Sequence, residues 1–216
     1  MQRVVYPSAL VDAVIPRSNQ AAVNLVLDVL LVVGYAALAG LSAQVKLYLN
    51  PAVPITGQTF VVLLAGATLG SKRSAAAMLV YLMAGIAGIP VFAPGGVFPG
   101  SSRGYLLGFV AAAALVGYLC ERGWGRNPLK LIAAMLAGEA AVYVFGLWWL
   151  AFYFTPAQLA ASVSAGKLSA ATSLAVVWEW GVKDFIIGDA IKLLMAALGV
   201  SLAWAGIRRL KGRLEG

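Results

Sequence analysis

The feature that most constrains this chain is a series of apolar runs, each long enough to approach the thickness of a membrane. The first, "NLVLDVLLVVGYAALAGLSAQVKLYL", occupies residues 24–49. A transmembrane helix needs about 20 apolar residues, because it rises about 1.5 Å per residue through a hydrocarbon core about 30 Å thick. Further runs occupy residues 56–69, 74–89, 104–119, 128–154 and 174–207. The pattern predicts an all-α integral membrane protein, a compact bundle of six transmembrane helices in a single membrane domain over residues 1–216.

The composition supports this fold class and leaves no room for a separate soluble domain. Apolar residues make up 62 % of the 216 residues and charged residues only 11 %, against about 25 % charged in soluble domains. Proline- and glycine-rich segments separate several runs, notably "NPAVPITG" and "PVFAPGGVFPGSSR". The second segment is predicted to be a cap or a re-entrant loop, and the polar stretch 155–173 a surface loop with a short helix. The first 23 residues contain Asp12, Pro16 and Arg17, so no cleavable signal peptide is expected.

The net charge of +8 lies in short clusters between the apolar runs rather than on one stripe, so nucleic acid is not an expected partner. Lysine and arginine collect on the cytoplasmic side of membrane proteins. Successive gaps between the runs are alternately rich and poor in these residues, which predicts that both termini are cytoplasmic. The chain is therefore expected to be a multi-pass protein of a prokaryotic cell membrane. The rich gaps hold Arg3, Arg17, Lys72, Arg73, Arg122, Arg126, Lys130, Arg208, Arg209, Lys211 and Arg213, whereas the opposite loops hold clear cases only at Arg103 and Lys167.

Two charged residues inside the last run, Asp189 and Lys192, are the first candidates for a binding site. An ionisable residue within a membrane costs about 2.5–3.5 kcal/mol even on lenient insertion scales, so it needs a partner or a function. Three residues apart on a helix, the two side chains project to nearly the same side. They either neutralise each other or face a cavity in the outer part of the bilayer. A carboxylate beside an ammonium suits a small ligand that carries both N–H donors and an anionic or carbonyl group.

Other candidates surround this pair in the predicted arrangement. Trp178 and Phe185 lie at helical spacings from Lys192 and would wall an apolar pocket, although Trp178 and Trp180 equally suit an interfacial aromatic belt. Glu139 is either a pocket residue or a protonated acid packed between helices.

Three polar residues border the outer loops, namely Gln58, Arg103 and Tyr105. They would reach the same cavity, where Arg103 would bind a ligand carboxylate. Its alternative is an ordinary arginine of the outer surface.

The sequence argues against an enzyme. There is no histidine and the one cysteine, Cys120, lies in an apolar stretch, so a nucleophile with its base, or a metal site, is not expected. No metal ion or cofactor is predicted. A Walker A signature is also absent, because "AGKLS" lacks the upstream glycine, so any ATP hydrolysis must come from partner subunits.

Long motifs carry a family resemblance. "PVPITGQTFVVLLAGATLGSKRSAAAMLVYLMAGIAGIPVFA", then "RGYLLGF" and "GDAIKLLMAALG", resemble the BioY family of S components of energy-coupling factor (ECF) transporters, over nearly the whole chain. The resemblance implies that the chain captures biotin outside the cell and delivers it inward together with a transmembrane T component and two ATPases. It implies biotin contacts by Asp189 and Lys192, with Gln58, Arg103 and Tyr105 on the ligand side. A solitary biotin transporter and an S component for another vitamin are the alternatives.

Small residues recur in the first run, at Ala36, Ala39, Gly40 and Ala43. Such a surface lets another helix approach closely. The family resemblance implies that Ala39 and Ala43 contact the T component, and packing within the chain is the alternative.

Overall fold

A computed structural model describes residues 9–93 and 100–214 of the chain. The amino-terminal Arg3 and residues 94–99 of the predicted glycine- and proline-rich loop lie outside the described residues, as do the side chains of Lys211 and Arg213. The described α-helices are α1 (Leu10–Val14), α2 (Ala21–Gln44), α3 (Gln58–Leu69), α4 (Ser71–Ile86), α5 (Arg103–Glu121), α6 (Pro128–Tyr153), α7 (Pro156–Ser164), α8 (Ser173–Val176) and α9 (Ile186–Leu214).

The predominantly helical membrane fold is confirmed. Within the described residues, four helices are long and apolar enough to cross a membrane: Ala21–Gln44, Arg103–Glu121, Pro128–Tyr153 and Ile186–Leu210. The predicted runs at 56–69 and 74–89 form α3, which is apolar but only 12 residues long, and α4, which has 16 residues. Each predicted run thus contains at least one helix, while the count of six spanning helices stays a prediction.

Local capping explains where several helices begin. Asn127 accepts hydrogen bonds from the backbone N–H groups of Leu129 and Lys130, and Pro128 occupies the first turn of α6, where its missing N–H is not needed. Thr155 and Gln158 form a reciprocal capping box at the start of α7. The polar stretch after α6 therefore contains the short helix that was predicted for it.

The prediction of one continuous helix over residues 174–207 is wrong. The chain instead forms α8, a π-helical turn at Val177–Val182 and a tight turn before α9 begins at Ile186. Two backbone carbonyls in this stretch accept side-chain donors from other elements: that of Gly181 accepts the hydroxyl of Tyr105 (3.1 Å) and that of Trp180 accepts the amide of Asn50 (3.4 Å). The N–H of Phe185 bonds to Val182 rather than to Gly181. Tertiary contacts have replaced the regular α-helical ladder here.

The helix predicted over residues 24–49 is too long, because α2 ends at Gln44, and the segment between α2 and α3 contains a short antiparallel pairing. Strand β1 (Lys46–Leu47) pairs with β2 (Ile55–Thr56). Between them, the side-chain oxygen of Asn50 accepts the backbone N–H groups of Ala52 and Val53, while its amide donates to Asp184 (2.9 Å). This bonding fixes the loop against the turn that precedes α9.

Glycines let the central helices approach closely. A Cβ atom on Gly108 of α5 would lie 2.9 Å from the Cα of Val142 on α6, and one on Gly146 of α6 would lie 2.3 Å from the ring of Tyr105. Helix α3 lies among these elements with most of its residues buried. The amino-terminal ends of α3, α5 and α9 and the carboxyl-terminal parts of α4 and α6 lie around one space at one end of the bundle.

The opposite end of the bundle carries a cluster of ion pairs. Arg17 pairs with Asp12 and Asp28, and Arg73 of α4 pairs with the same two carboxylates, at 2.7–3.0 Å. Helix α1 also places Leu10 among buried residues of α3, α5, α6 and α9. The amino-terminal segment is thereby held against the ends of α2 and α4.

Candidate binding cavity

The helix ends that meet at one end of the bundle enclose a cavity of about 690 Å³. Five of the six predicted ligand-contacting residues line it: Gln58, Arg103, Tyr105, Asp189 and Lys192. Most of the remaining wall is apolar and includes Val53, Phe92, Leu106, Phe109, Val142 and Phe185. An apolar cavity with a few converging polar groups is the usual form of a small-molecule site.

Asp189 and Lys192 form a direct ion pair at the start of α9. Lys192 Nζ lies 2.9 Å from Asp189 Oδ1, and the Asp189 residue is only 7 % exposed. Two further residues bond to the pair. The hydroxyl of Tyr143 on α6 donates to Asp189 Oδ2 at 2.7 Å, while Thr59 Oγ1 on α3 donates to Asp189 Oδ1 at 3.2 Å and accepts from Lys192 Nζ at 3.3 Å. The two charges therefore neutralise each other, and the pair also lines the cavity, while its contact with a ligand stays a prediction.

Gln58 and Tyr105 line the cavity but direct their polar groups into the protein. The amide nitrogen of Gln58 donates to the hydroxyl of Tyr81 (2.6 Å), and its oxygen accepts from Thr56 (2.8 Å). The hydroxyl of Tyr105 donates to the Gly181 carbonyl. Both side chains therefore brace the wall of the site in this structure, because their polar groups bond to neighbouring residues of the protein.

Arg103 lies at the mouth of the cavity. It begins α5, its side chain is exposed, and it lines the cavity next to Gly100, whose backbone has a φ of +90°. A Cβ atom at position 100 would lie 2.9 Å from the Arg103 Nε, so glycine leaves room for the guanidinium. The Gly100 carbonyl accepts the indole N–H of Trp149 at 3.0 Å, which ties this loop to α6.

Glu139 does not line this cavity, so a direct ligand contact by Glu139 stays a prediction that this structure does not support. It lies in a separate groove between α6 and α9 that is lined mostly by aliphatic side chains, among them Leu136, Leu147 and Leu193. The residue is 7 % exposed, and neither carboxylate oxygen has a hydrogen-bond partner among the residues that the structure describes. The structure therefore matches the alternative of an acid packed between helices.

Replacing Glu139 by leucine tests this placement. We expect Glu139→Leu to leave ligand affinity within about threefold of wild type and to raise thermal stability by about 1 kcal/mol or more, because it removes an unpaired polar group from a buried, mostly aliphatic position. Ligand titration and thermal unfolding in detergent measure the two effects. A loss of ligand affinity above tenfold would show that Glu139 contributes to binding.

Of the three aromatic candidates, one lines the cavity, one is exposed as in an aromatic belt, and one is buried elsewhere in the protein. Phe185 is buried and lines the cavity, as predicted for a pocket wall. Trp178 is 54 % exposed and does not line the cavity, which agrees with the aromatic-belt alternative. Trp180 is fully buried, packs edge-on against Phe154 with ring centroids 5.4 Å apart, and donates to the Lys167 carbonyl, so a belt position for Trp180 is wrong.

Ala39 and Ala43 are fully buried within the chain. Gly40 beside them approaches Val91 so closely that a Cβ there would lie 3.1 Å from the valine Cβ. The outward face of α2 is formed by larger residues such as Val33 and Leu41. In this conformation these small residues pack within the chain, as the alternative interpretation predicts. Ala39 and Ala43 could contact a partner only if the residues that cover them moved away.

Sequence reasoning did not include Thr59 and Tyr143 in the site. Thr59 follows Gln58 directly within the quoted motif, so position offered a signal. Tyr143 lies in an apolar run and resembles any core aromatic. Among the described residues no cluster of three or more histidine, cysteine, aspartate or glutamate side chains is arranged to hold a metal ion.

Comparison with known proteins assigns the chain to a family. The family model described as "BioY family" matches residues 16–209. The chain belongs to the BioY family. Its relatives include the "Biotin transporter BioY" of Rhizobium etli, 34 % identical over 185 residues that cover 79 % of this chain and 89 % of the relative. The "Biotin transporter BioY" of Thermotoga maritima is 33 % identical over 168 residues, covering 76 % and 88 %.

A solved structure shares the fold of this BioY family member. It is described as the S-component for biotin from an ECF-type ABC transporter. The TM-score is 0.63 at 22 % sequence identity, and the match covers 84 % of this chain and 93 % of the other. Together with the four long apolar helices, family and fold make this chain a multi-pass membrane protein.

Proposed function

We propose that this chain is the biotin-binding S component of an ECF-type vitamin transporter and is not an enzyme. The observation that carries the proposal is the cavity, in which a buried Asp–Lys pair and an arginine at the mouth lie within apolar walls. Relatives named as biotin transporters and the shared fold of a biotin S component support the choice of ligand.

The chemistry of biotin suits this arrangement. Its ureido ring carries N–H donors and a carbonyl acceptor, which Asp189 and Lys192 complement. Its fused sulfur ring and aliphatic chain match the apolar wall. Its carboxylate would pair with Arg103 at the mouth, where a guanidinium forms a bidentate contact.

Transport requires partners and a membrane orientation. Because the sequence has no Walker A motif, a T component and two ATPases would supply energy. The charge distribution supports six spans with both termini cytoplasmic. In that orientation the cavity opens outside, since the ends of α2 and α4 bearing the ion-pair cluster lie with Lys72 and Arg122 on the cytoplasmic side.

Titration of the purified protein in detergent tests this function. Biotin should bind with a sub-micromolar Kd, whereas thiamine and riboflavin should not compete. Failure to bind biotin, together with binding of another vitamin, would make the chain an S component for that vitamin. Uptake without ATPases in reconstituted vesicles would indicate a solitary transporter.

Arg103→Ala tests whether the arginine recognises the carboxylate end of biotin rather than its ring end. We expect it to weaken biotin about 5–20-fold, as for a partly exposed charge-assisted pair, and to weaken the carboxamide of biotin less than about threefold. Lys167→Ala is the matched control, because it removes an outer cation that does not line the cavity. Equal effects of Arg103→Ala on both ligands would remove the arginine from carboxylate recognition.

A further inference from the structure

The carboxylate of Asp189 is held from three helices at once. Lys192 bonds it from α9, Thr59 from α3 and Tyr143 from α6. The Tyr143 bond is the shortest of these, at 2.7 Å, and it is the one made to Oδ2, the oxygen that the other two leave unused. Without Tyr143 this oxygen would have no hydrogen-bond partner within the described part of the chain.

The Asp189–Lys192 pair keeps hydrogen-bonding positions that a ligand can use. A carboxylate has about four acceptor positions and an ammonium three protons. Lys192 and Thr59 occupy two positions on Oδ1 and Tyr143 one on Oδ2, which leaves one acceptor. Lys192 directs two protons to Asp189 and Thr59, which leaves one donor. One acceptor beside one donor complements the N–H and C=O of a neutral amide or urea.

Tyr143 also separates two spaces. It and Asp189 are the residues that line both the ligand cavity and the groove between α6 and α9. The ring of Tyr143 packs edge-on against Tyr105 with centroids 6.4 Å apart, and Tyr105 is itself anchored to Gly181. The ring of Tyr143, whose hydroxyl bonds to Asp189, therefore packs against a neighbour that is itself hydrogen-bonded in place.

The geometry points to Tyr143 as a positioning residue that fixes the Asp189 carboxylate, so that its remaining acceptor meets a ligand N–H. This inference rests on the proposed function and adds to it a residue that acts through Asp189. It predicts that Tyr143 matters for ligands with an N–H at that position and not for the ligand's anionic end.

Titrations of the full-length protein in detergent test this role. Tyr143→Phe keeps the ring and removes the hydroxyl, and we expect it to weaken biotin about tenfold, as for a hydrogen bond to a charged group. Tyr35→Phe is the matched control, because it removes a hydroxyl that bonds Thr68 at 2.8 Å outside the cavity, and its affinity should be unchanged. Thermal unfolding verifies that each variant is folded.

Ligand analogues distinguish positioning from mere packing. The two biotin derivatives methylated on one ureido nitrogen each lack one N–H. For the derivative that lacks the N–H facing Asp189, Tyr143→Phe should change affinity less than about threefold, because the contact that the hydroxyl aligns is already lost. A structural defect would weaken biotin and both derivatives by the same factor.

The outcomes are separable. Wild-type protein that does not bind biotin would overturn the proposed function and this inference with it. Wild-type binding that Tyr143→Phe leaves unchanged, or a loss shared equally by biotin and both derivatives, would overturn the inference alone.

Discussion

Asp189→Asn is expected to weaken biotin binding about a hundredfold, the largest effect on affinity among the substitutions considered for the cavity. The change keeps the shape of the side chain but removes the charge that Lys192, Thr59 and Tyr143 surround. Hydrogen bonds to a charged group contribute about 1.5–3 kcal/mol, and breaking a buried pair leaves its partner uncompensated. Isothermal titration, or binding of radiolabelled biotin, measures the loss.

Asp184→Asn is the matched control for this result. Asp184 lies five residues away in the turn before α9, does not line the cavity, and accepts one hydrogen bond from Asn50 that an asparagine oxygen can still accept. Its biotin affinity should stay within about threefold of wild type, because the bond lies outside the cavity and its acceptor oxygen is retained. Equal losses in the two variants would show that the Asp189–Lys192 pair has no special part in binding.

Gly117→Ala is expected to cause the largest loss of stability. Its Cβ would lie 2.4 Å from the backbone nitrogen of Ser71 and 2.5 Å from the carbonyl carbon of Gly70. These are backbone atoms in the turn between α3 and α4, and Glu121 holds that turn by accepting from both the N–H and the hydroxyl of Ser71. Because the turn cannot move aside, we expect a loss of about 2–4 kcal/mol, or roughly 5–15 °C in the midpoint of thermal unfolding.

Gly199→Ala provides the comparison in another helix interior. Apart from the backbone of its own helix, a Cβ at position 199 of α9 meets no atom of the described residues within 4 Å. Alanine should therefore be neutral or stabilise by about 0.5–1 kcal/mol, because glycine loses more backbone entropy in a helix. If both substitutions lowered the midpoint equally, helix propensity rather than close packing would explain the loss at Gly117.

The sequence predicted best those site residues that lie close together along the chain. Asp189 and Lys192 lie three residues apart on one helix, and helical geometry alone brings them together. Gln58, Arg103 and Tyr105 were found through motifs at the ends of runs, and the structure places them on the same cavity. Their hydrogen-bond partners Tyr81 and Gly181 could not be found this way, because no spacing links residues on different helices.

Glu139 shows the opposite case. An acid in an apolar run signals a partner or a function, yet the sequence contains no information on which way its helix faces once packed. Helix α6 directs Glu139 into the groove and Tyr143, one turn later, to the boundary of the cavity. The rotation of α6 is set by close contacts such as that of Gly108 with Val142.

The apolar runs by themselves determined that this chain lies in a membrane and where its helices form, because hydrocarbon leaves a backbone few ways to satisfy its hydrogen bonds. Their lengths could not show that the last run is broken at Val177–Val182, since the carbonyls there are occupied by Tyr105 and Asn50 from distant parts of the chain. Only the tertiary structure decided which residues surround Asp189. The reason is physical: periodicity fixes the side of a helix on which a residue lies, whereas packing between helices fixes what that side meets.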